Sequence, residues 1–121
     1  LYASNGHTLD LDLDFPLSEA DAAYVVLASG SGTGPMTQGG IQIPLTPDPL
    51  LSQMLGAWTP PLLHSGRGNL DLLGDAHAQI DGHPILRPAI GRKVYLAAVS
   101  YDRTTKTGRL SSVARVLTIV P

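Results

Sequence analysis

From residue 8 to residue 15 apolar and polar positions alternate: Leu9, Leu11, Leu13 and Phe15 share one parity, and Asp10, Asp12 and Asp14 the other. A period of two puts each set on its own side of an extended chain, which predicts a strand with one buried and one wet face. Runs of similar character return at 24–28, 41–45, 76–80, 94–101 and 113–120, with glycine and proline between them. The run Tyr24-Val25-Val26-Leu27-Ala28 is apolar throughout, which predicts a central strand covered on both faces.

The intervening segments read as turns, one loop and one helix. Asn5-Gly6 can supply the two positive φ angles of a tight turn, so 1–4 and 8–15 are expected to form a hairpin. Residues 29–40 are low in complexity and rich in glycine, and read as a loop. Pro44 confines the 41–45 strand to an edge or ends it there. A helix is predicted at 48–55, with Asp48 as N-cap, Pro49 in the first helical position and Gly56 as the stop. Asp71-Leu72-Leu73-Gly74 reads as the turn joining a strand within 62–72 to one at 75–80. Residues 81–93 are expected to be irregular, with Ile85, Leu86 and Ile90 packing over an open end of the core. The polar loop 102–108 then closes a last hairpin between 94–101 and 113–120. Seven to eight short strands with one short helix predict an all-β fold, a single antiparallel β-sandwich of Ig-like type over residues 1–121. Its core is expected from Leu9, Leu11, Leu13, Tyr24, Val26, Ile43, Leu70, Ile80, Leu96, Ala98, Leu117 and Ile119.

Composition narrows the function classes. The chain has 121 residues, enough for one core without metal or disulfide staples, and is 43% apolar and only 15% charged, with net charge −2. Six arginines and two lysines are scattered, with Arg92-Lys93 the one adjacent pair, so neither nucleic acid nor an anionic membrane surface is an expected partner. The absence of cysteine excludes thiol chemistry. No apolar stretch approaches the roughly 20 residues of a membrane span. Beginning at Leu1 rather than Met, the chain reads as a mature, processed product or an excised domain.

Four segments carry a resemblance: 27–35 (Leu-Ala-Ser-Gly-Ser-Gly-Thr-Gly-Pro), 43–48 (Ile-Pro-Leu-Thr-Pro-Asp), 68–76 (Gly-Asn-Leu-Asp-Leu-Leu-Gly-Asp-Ala) and the closing Leu117-Thr118-Ile119-Val120-Pro121. Together they resemble the small β-sandwich module that recurs near the C-terminal ends of secreted proteins of planctomycetes and similar bacteria. The shared residues are those of turns and a helix cap. The resemblance implies an exported, cell-surface or extracellular accessory domain with no catalytic motif. The aspartate alternation at 10–14 and the His83-bearing segment before the penultimate strand depart from the module's pattern.

Candidate chemistry is sparse. Carboxylates at Asp10, Asp12 and Asp14 have the alternate spacing of a calcium loop, but the leucines between them hold the chain extended and no glycine provides the sharp turn. They read as a wet strand face cross-paired to Arg115 or Arg109, with a bound cation or a subunit contact as the other use. Gly30, Gly32 and Gly34 follow a strand as in a phosphate loop, yet lead into another strand instead of a helix N-terminus. His64 and His77, with Asp75, form the one grouping able to hold a metal or a general base if the strands around 62 and 75 pair across the Asp71 turn. Trp58, before Pro60-Pro61, reads as a lid on the core or as a platform for a sugar ring.

No nucleophile, base and orienting acid fall together, so the chain is expected not to be an enzyme and to need no cofactor. Low charge and many small residues favour a structural module, secreted or at the cell surface, associating with copies of itself into a filament or surface layer. Strand edges are the expected contact, at Leu1 and Tyr2, at Val116 and Val120, and beside the 29–40 loop. Carbohydrate binding or adhesion through Trp58 and the loops is the alternative, with glycans as partners.

Overall fold

The structure is a computed structural model describing residues 1–56 and 58–121. It is an all-β sandwich, with ten strands in antiparallel sheets and one short α-helix among the described residues. One sheet runs in the order β1 (Thr8–Asp14), β7 (Asp75–Asp81), β5 (Leu63–His64). The larger sheet runs in the order β10 (Arg115–Thr118), β8 (Lys93–Tyr101), β2 (Ala23–Ser29), β6 (Arg67–Asn69). In it β9 (Gly108–Ser111) also pairs with β8. The hairpin β3 (Met36–Gln38) and β4 (Ile41–Ile43) stands apart, and the helix α1 (Pro49–Leu55) packs against β2.

All seven residues of β2 are buried, as the unbroken apolar run predicts. Its two parities serve two interfaces. Val26 lies opposite Ala98 in β8 and, with Leu11 and Leu13 of β1, belongs to the space between the sheets. Leu27 and Ser29 have the other parity, and the Ser29 hydroxyl donates to the Thr46 carbonyl and approaches Asp48, so this face lies under the segment leading into α1. Asp48 caps α1 as its sequence predicts: its side chain accepts from the Leu51 N–H, Pro49 opens the helix and Gly56 ends it. The same carboxylate accepts from the Gly30 N–H and the Ser31 hydroxyl, tying the glycine-rich segment to the helix start. Burial alone would raise its pKa, but these donors, Leu51 and Gly30 foremost, outweigh burial and hold it below the usual carboxylate range.

The two flanks of the sandwich differ. On one, the chain passes straight from β5 in the small sheet to β6 in the large one. Ser65, at φ 56, and Gly66 make the crossing, and the Gly66 carbonyl accepts from the Val26 N–H. On the other, β1 ends the small sheet while β9 and β10 lie end to end along β8, broken at Ser112–Ala114. Among the described residues, chain bridges close this flank at its two ends only. At one, Leu1 to Ala3 runs beside the end of β10; at the other, the 3₁₀ turn Leu17–Glu19 is pinned to β9 by an ion pair, Arg109 Nε to Glu19 Oε1 at 2.8 Å.

Several expectations change. The pattern predicts a hairpin between 1–4 and 8–15, but only Gly6 of the turn has positive φ, and Tyr2 instead pairs parallel with Val120. The predicted 62–72 strand is two strands in different sheets, because Ser65-Gly66 turns the chain across the flank. The predicted loop at 29–40 contains β3, since Gly39 and Gly40, at φ 60 and 84, make a tight turn into β4. The loop after β8 returns first as β9, and the expected antiparallel pairing of 94–101 with 113–120 follows as β10 along the same edge, while Leu9 and Ala98 are only partly buried. Residues 84–89 form a 3₁₀ helix held by backbone bonds, with Ile85 and Ile90 exposed instead of packed over the core.

Truncating Leu27 to Ala, at a site 1% exposed, is expected to cost about 2 to 5 kcal/mol in urea unfolding. Leu72→Ala, 80% exposed on its turn, should change stability by less than about 0.5 kcal/mol. Glu19 is 3% exposed, and the Arg109 hydrogen bond, opposed by burial and helped by Ser100, lowers its pKa below the ordinary 4.5. A lowered folded pKa contributes stability above the unfolded value and loses it as pH falls through the folded one. Arg109→Ala should therefore lower the urea midpoint near neutral pH, and its gap to the parent protein should shrink as pH drops below about 4.5.

Candidate functional site

Two surfaces meet along β1. Its even residues face solvent on the outer side of the small sheet, and its odd residues face the space between the sheets. Antiparallel pairing with β7 sets Asp10 beside Gln79, Asp12 beside His77 and Asp14 beside Asp75. His64 on β5 lies beside Gln79 and so shares this outer face. The face therefore holds Asp10, Asp12, Asp14, Asp75 and Asp81 with two imidazoles and no Lys or Arg.

The partners of the aspartate ladder are thus on β7, not the arginines that the sequence offers. His77 Nδ1 is 2.8 Å from Asp12 Oδ1 and its Nε2 is 3.4 Å from Asp10 Oδ1, while the Gln79 amide donates to Asp10 Oδ1 at 3.1 Å. Arg109, on β9, is committed to Glu19 in the 3₁₀ turn, and Arg115 makes no ion pair among the described residues. The Asp12 hydrogen bond, with the charges of Asp12 and Asp10, raises the His77 pKa above its ordinary 6.5 against a smaller effect of desolvation. At the other end of the ladder Asp75 has its pKa raised by desolvation and by Asp14 directly opposite, with Asp71 adding to it.

The grouping of His64, His77 and Asp75 does not form. The three residues share a face, but His64 Nε2 contacts Asp81 at 2.6 Å while His77 turns to Asp12, because strand register assigns each a different neighbour. Among the described residues no three His, Asp or Glu side chains are disposed to hold a metal ion, and Asp10, Asp12 and Asp14 remain side by side on extended backbone. Trp58 is 44% exposed just after α1, its backbone N–H donating to the Gln53 carbonyl. Leu1, Tyr2 and Val120 are not at an open edge: the Ala3 N–H donates to Val120 O, the Val120 N–H to Leu1 O, and the Leu1 ammonium to Thr118 O. Val116 is exposed on β10. No described helix is long and apolar enough to cross a membrane.

The open edge lies elsewhere, on β1. The His7 carbonyl accepts from the Gly82 N–H and the Phe15 N–H donates to Gly74 O, so the odd residues make the ladder bonds to β7. By the alternation of antiparallel pairing, the N–H and C=O groups of Thr8, Asp10, Asp12 and Asp14 point away from β7. No backbone partner meets them among the described residues. Beside this edge the sandwich opens as an apolar groove of about 470 Å³, lined by Leu11, Leu13 and Phe15 on one wall and Leu96, Ala98, Leu110 and Val113 on the other. Val113 is 86% exposed at the break between β9 and β10. Gly74 lets β7 approach the chain leaving β1: a Cβ there would meet the Phe15 and Pro16 carbonyls at 2.7 Å, and its φ is 83.

Sequence reasoning finds the aspartate face but misses the groove, because nothing in the alternation of 8–15 says which edge of the strand stays unpaired. Val113, which the sequence reads as the start of the 113–120 strand, lies instead at the break between β9 and β10. Comparison of the chain with protein-family models, with curated proteins and with solved structures gives no match.

A raised histidine pKa contributes stability that is full below the unfolded value near 6.5 and is lost as pH rises through the folded pKa. His77→Gln should therefore lower the urea midpoint most below about pH 6.5, with the gap closing in alkali. An NMR titration of His77 should show a pKa above the ordinary histidine value of 6.5, returning toward it in Asp12→Asn.

Proposed function

We propose that this chain is a non-catalytic structural module of the cell exterior, joined to its neighbours in a filament or surface layer by strand addition along β1. One observation carries this: a seven-residue edge strand with unpaired backbone groups beside an apolar groove. Unpaired edges recruit further strands, since each added residue finds main-chain partners while its alternate side chains fill apolar pockets. At the end of β10, the Thr118 carbonyl and both backbone groups of Val120 are supplied with partners by Leu1 and Ala3. A non-catalytic role fits the outer face, where His77, Gln79 and the carboxylates bond to one another, and fits the groove, whose walls are mostly apolar. The likeness of residues 27–35, 43–48 and 68–76 to a secreted bacterial module supports an exported setting.

The Asp12 N–H points to the open edge, so Asp12→Pro removes a donor there without removing a ladder bond to β7. The variant is expected to keep its far-ultraviolet spectrum and cooperative unfolding. Decapeptides selected from a random display library against the parent domain should protect the Asp10, Asp12 and Asp14 amides from hydrogen exchange and lose binding to Asp12→Pro. Selection of binders that leave those amides unprotected and bind the proline variant equally would overturn strand addition at β1.

A further inference from the structure

We infer that the strand received by β1 is one of a different polypeptide segment, with Lys or Arg at the positions flanking Asp10, Asp12 and Asp14 and apolar residues between them, and that β1 of a second copy is excluded. This rests on strand addition at β1 and specifies its occupant. Directly opposed residues of neighbouring strands share a face. Residues of the guest beside Leu9, Leu11 and Leu13 therefore enter the groove, and those beside the aspartates lie on the wet face.

The inward positions call for apolar side chains, because the groove is walled by Leu11, Leu13, Phe15, Leu96, Leu110 and Val113. The outward positions meet carboxylates on a face of five aspartates, two imidazoles and no Lys or Arg. His77 and Gln79 reach Asp10 and Asp12 from the β7 side, but Asp14 has only Asp75 opposite it. Arg115, on the far wall of the groove, is the one basic residue lining it and makes no ion pair with the ladder. Cations from a guest strand would supply the missing charge, most of all beside Asp14.

The same register argument excludes self-pairing. If two copies of β1 lie side by side with their leucines toward the grooves, every outward position of one faces Thr8 or an aspartate of the other. Like charges directly opposite destabilise a sheet, so the ladder turns the edge against its own image while leaving it open to a basic one.

Five capped heptapeptides test this by fluorescence anisotropy with amide exchange on the intact domain: alternating Lys/Val, alternating Thr/Val, alternating Glu/Val, a copy of Thr8–Asp14, and a Lys/Val peptide with its lysines grouped together. The alternating Lys/Val peptide should bind on the order of 10-fold tighter than Thr/Val. It should protect the Asp10, Asp12 and Asp14 amides, and its advantage should shrink at high salt. Glu/Val and the β1 copy should bind more weakly than Thr/Val. Equal binding and protection by Lys/Val and Thr/Val would overturn the basic occupant and leave strand addition standing, as would tight binding of the β1 copy at those amides. Equal binding of the grouped-lysine peptide, or binding of Lys/Val without protection of those amides or with full affinity for Asp12→Pro, would overturn strand addition itself.

Discussion

The pairing of β2 with β8 is the constraint on which the other elements depend. It is a seven-residue register, Ala23 opposite Tyr101 through Ser29 opposite Tyr95, enclosed on both sides. Strands buried on both faces need two covering layers. The three-stranded sheet supplies one, and the segment running from the β3–β4 hairpin through α1 supplies the other. Asp48 ties the second layer on, since one carboxylate caps the helix and holds Gly30 and Ser31 at the end of β2. The glycine-rich stretch after β2 is thus bound to the helix start at its beginning and is strand at its end.

The covering sheet has three strands against five in the sheet it covers, and the crossing from β5 to β6 draws it toward one flank. That mismatch leaves the opposite flank with an opening that the bridges at Leu1–Ala3 and Glu19–Arg109 frame without filling. The groove is a product of strand count and of where the chain changes sheets, and no single residue makes it. The aspartate side chains of β1 stand on the outer face, with Asp12 and Asp14 at the groove's rim, so the edge combines an apolar interior with an acidic exterior.

Period-two alternation is a local property, and what it reports was legible: β1 as a half-buried strand, β2 as a central one, and the Asp48-Pro49-Gly56 frame of α1. Partner choice is a long-range property, and it was not legible. Asp12 finds His77, 65 positions away, because two seven-residue strands happen to be in register. Arg109 reaches Glu19 across 90 positions. Turn dipeptides misled in both directions. Asn5-Gly6 turns a corner between sheets with one positive φ, whereas Gly39-Gly40, inside a stretch that reads as loop, makes a true hairpin turn. The histidine grouping failed for the same reason as the arginine pairing, since a shared face does not fix which neighbour a side chain meets.

The parallel contact between Tyr2 and Val120 has a mechanical consequence. Chain entering at Leu1 and chain leaving at Pro121 run side by side in the same direction. Tension that pulls these two residues apart drags the segments past each other lengthwise, so the bonds from Ala3 to Val120, Val120 to Leu1 and Leu1 to Thr118 resist together instead of opening one by one. A module tethered through both ends would be gripped by this clasp in shear, and the sheets behind it would feel little of the pull until the clasp gave way.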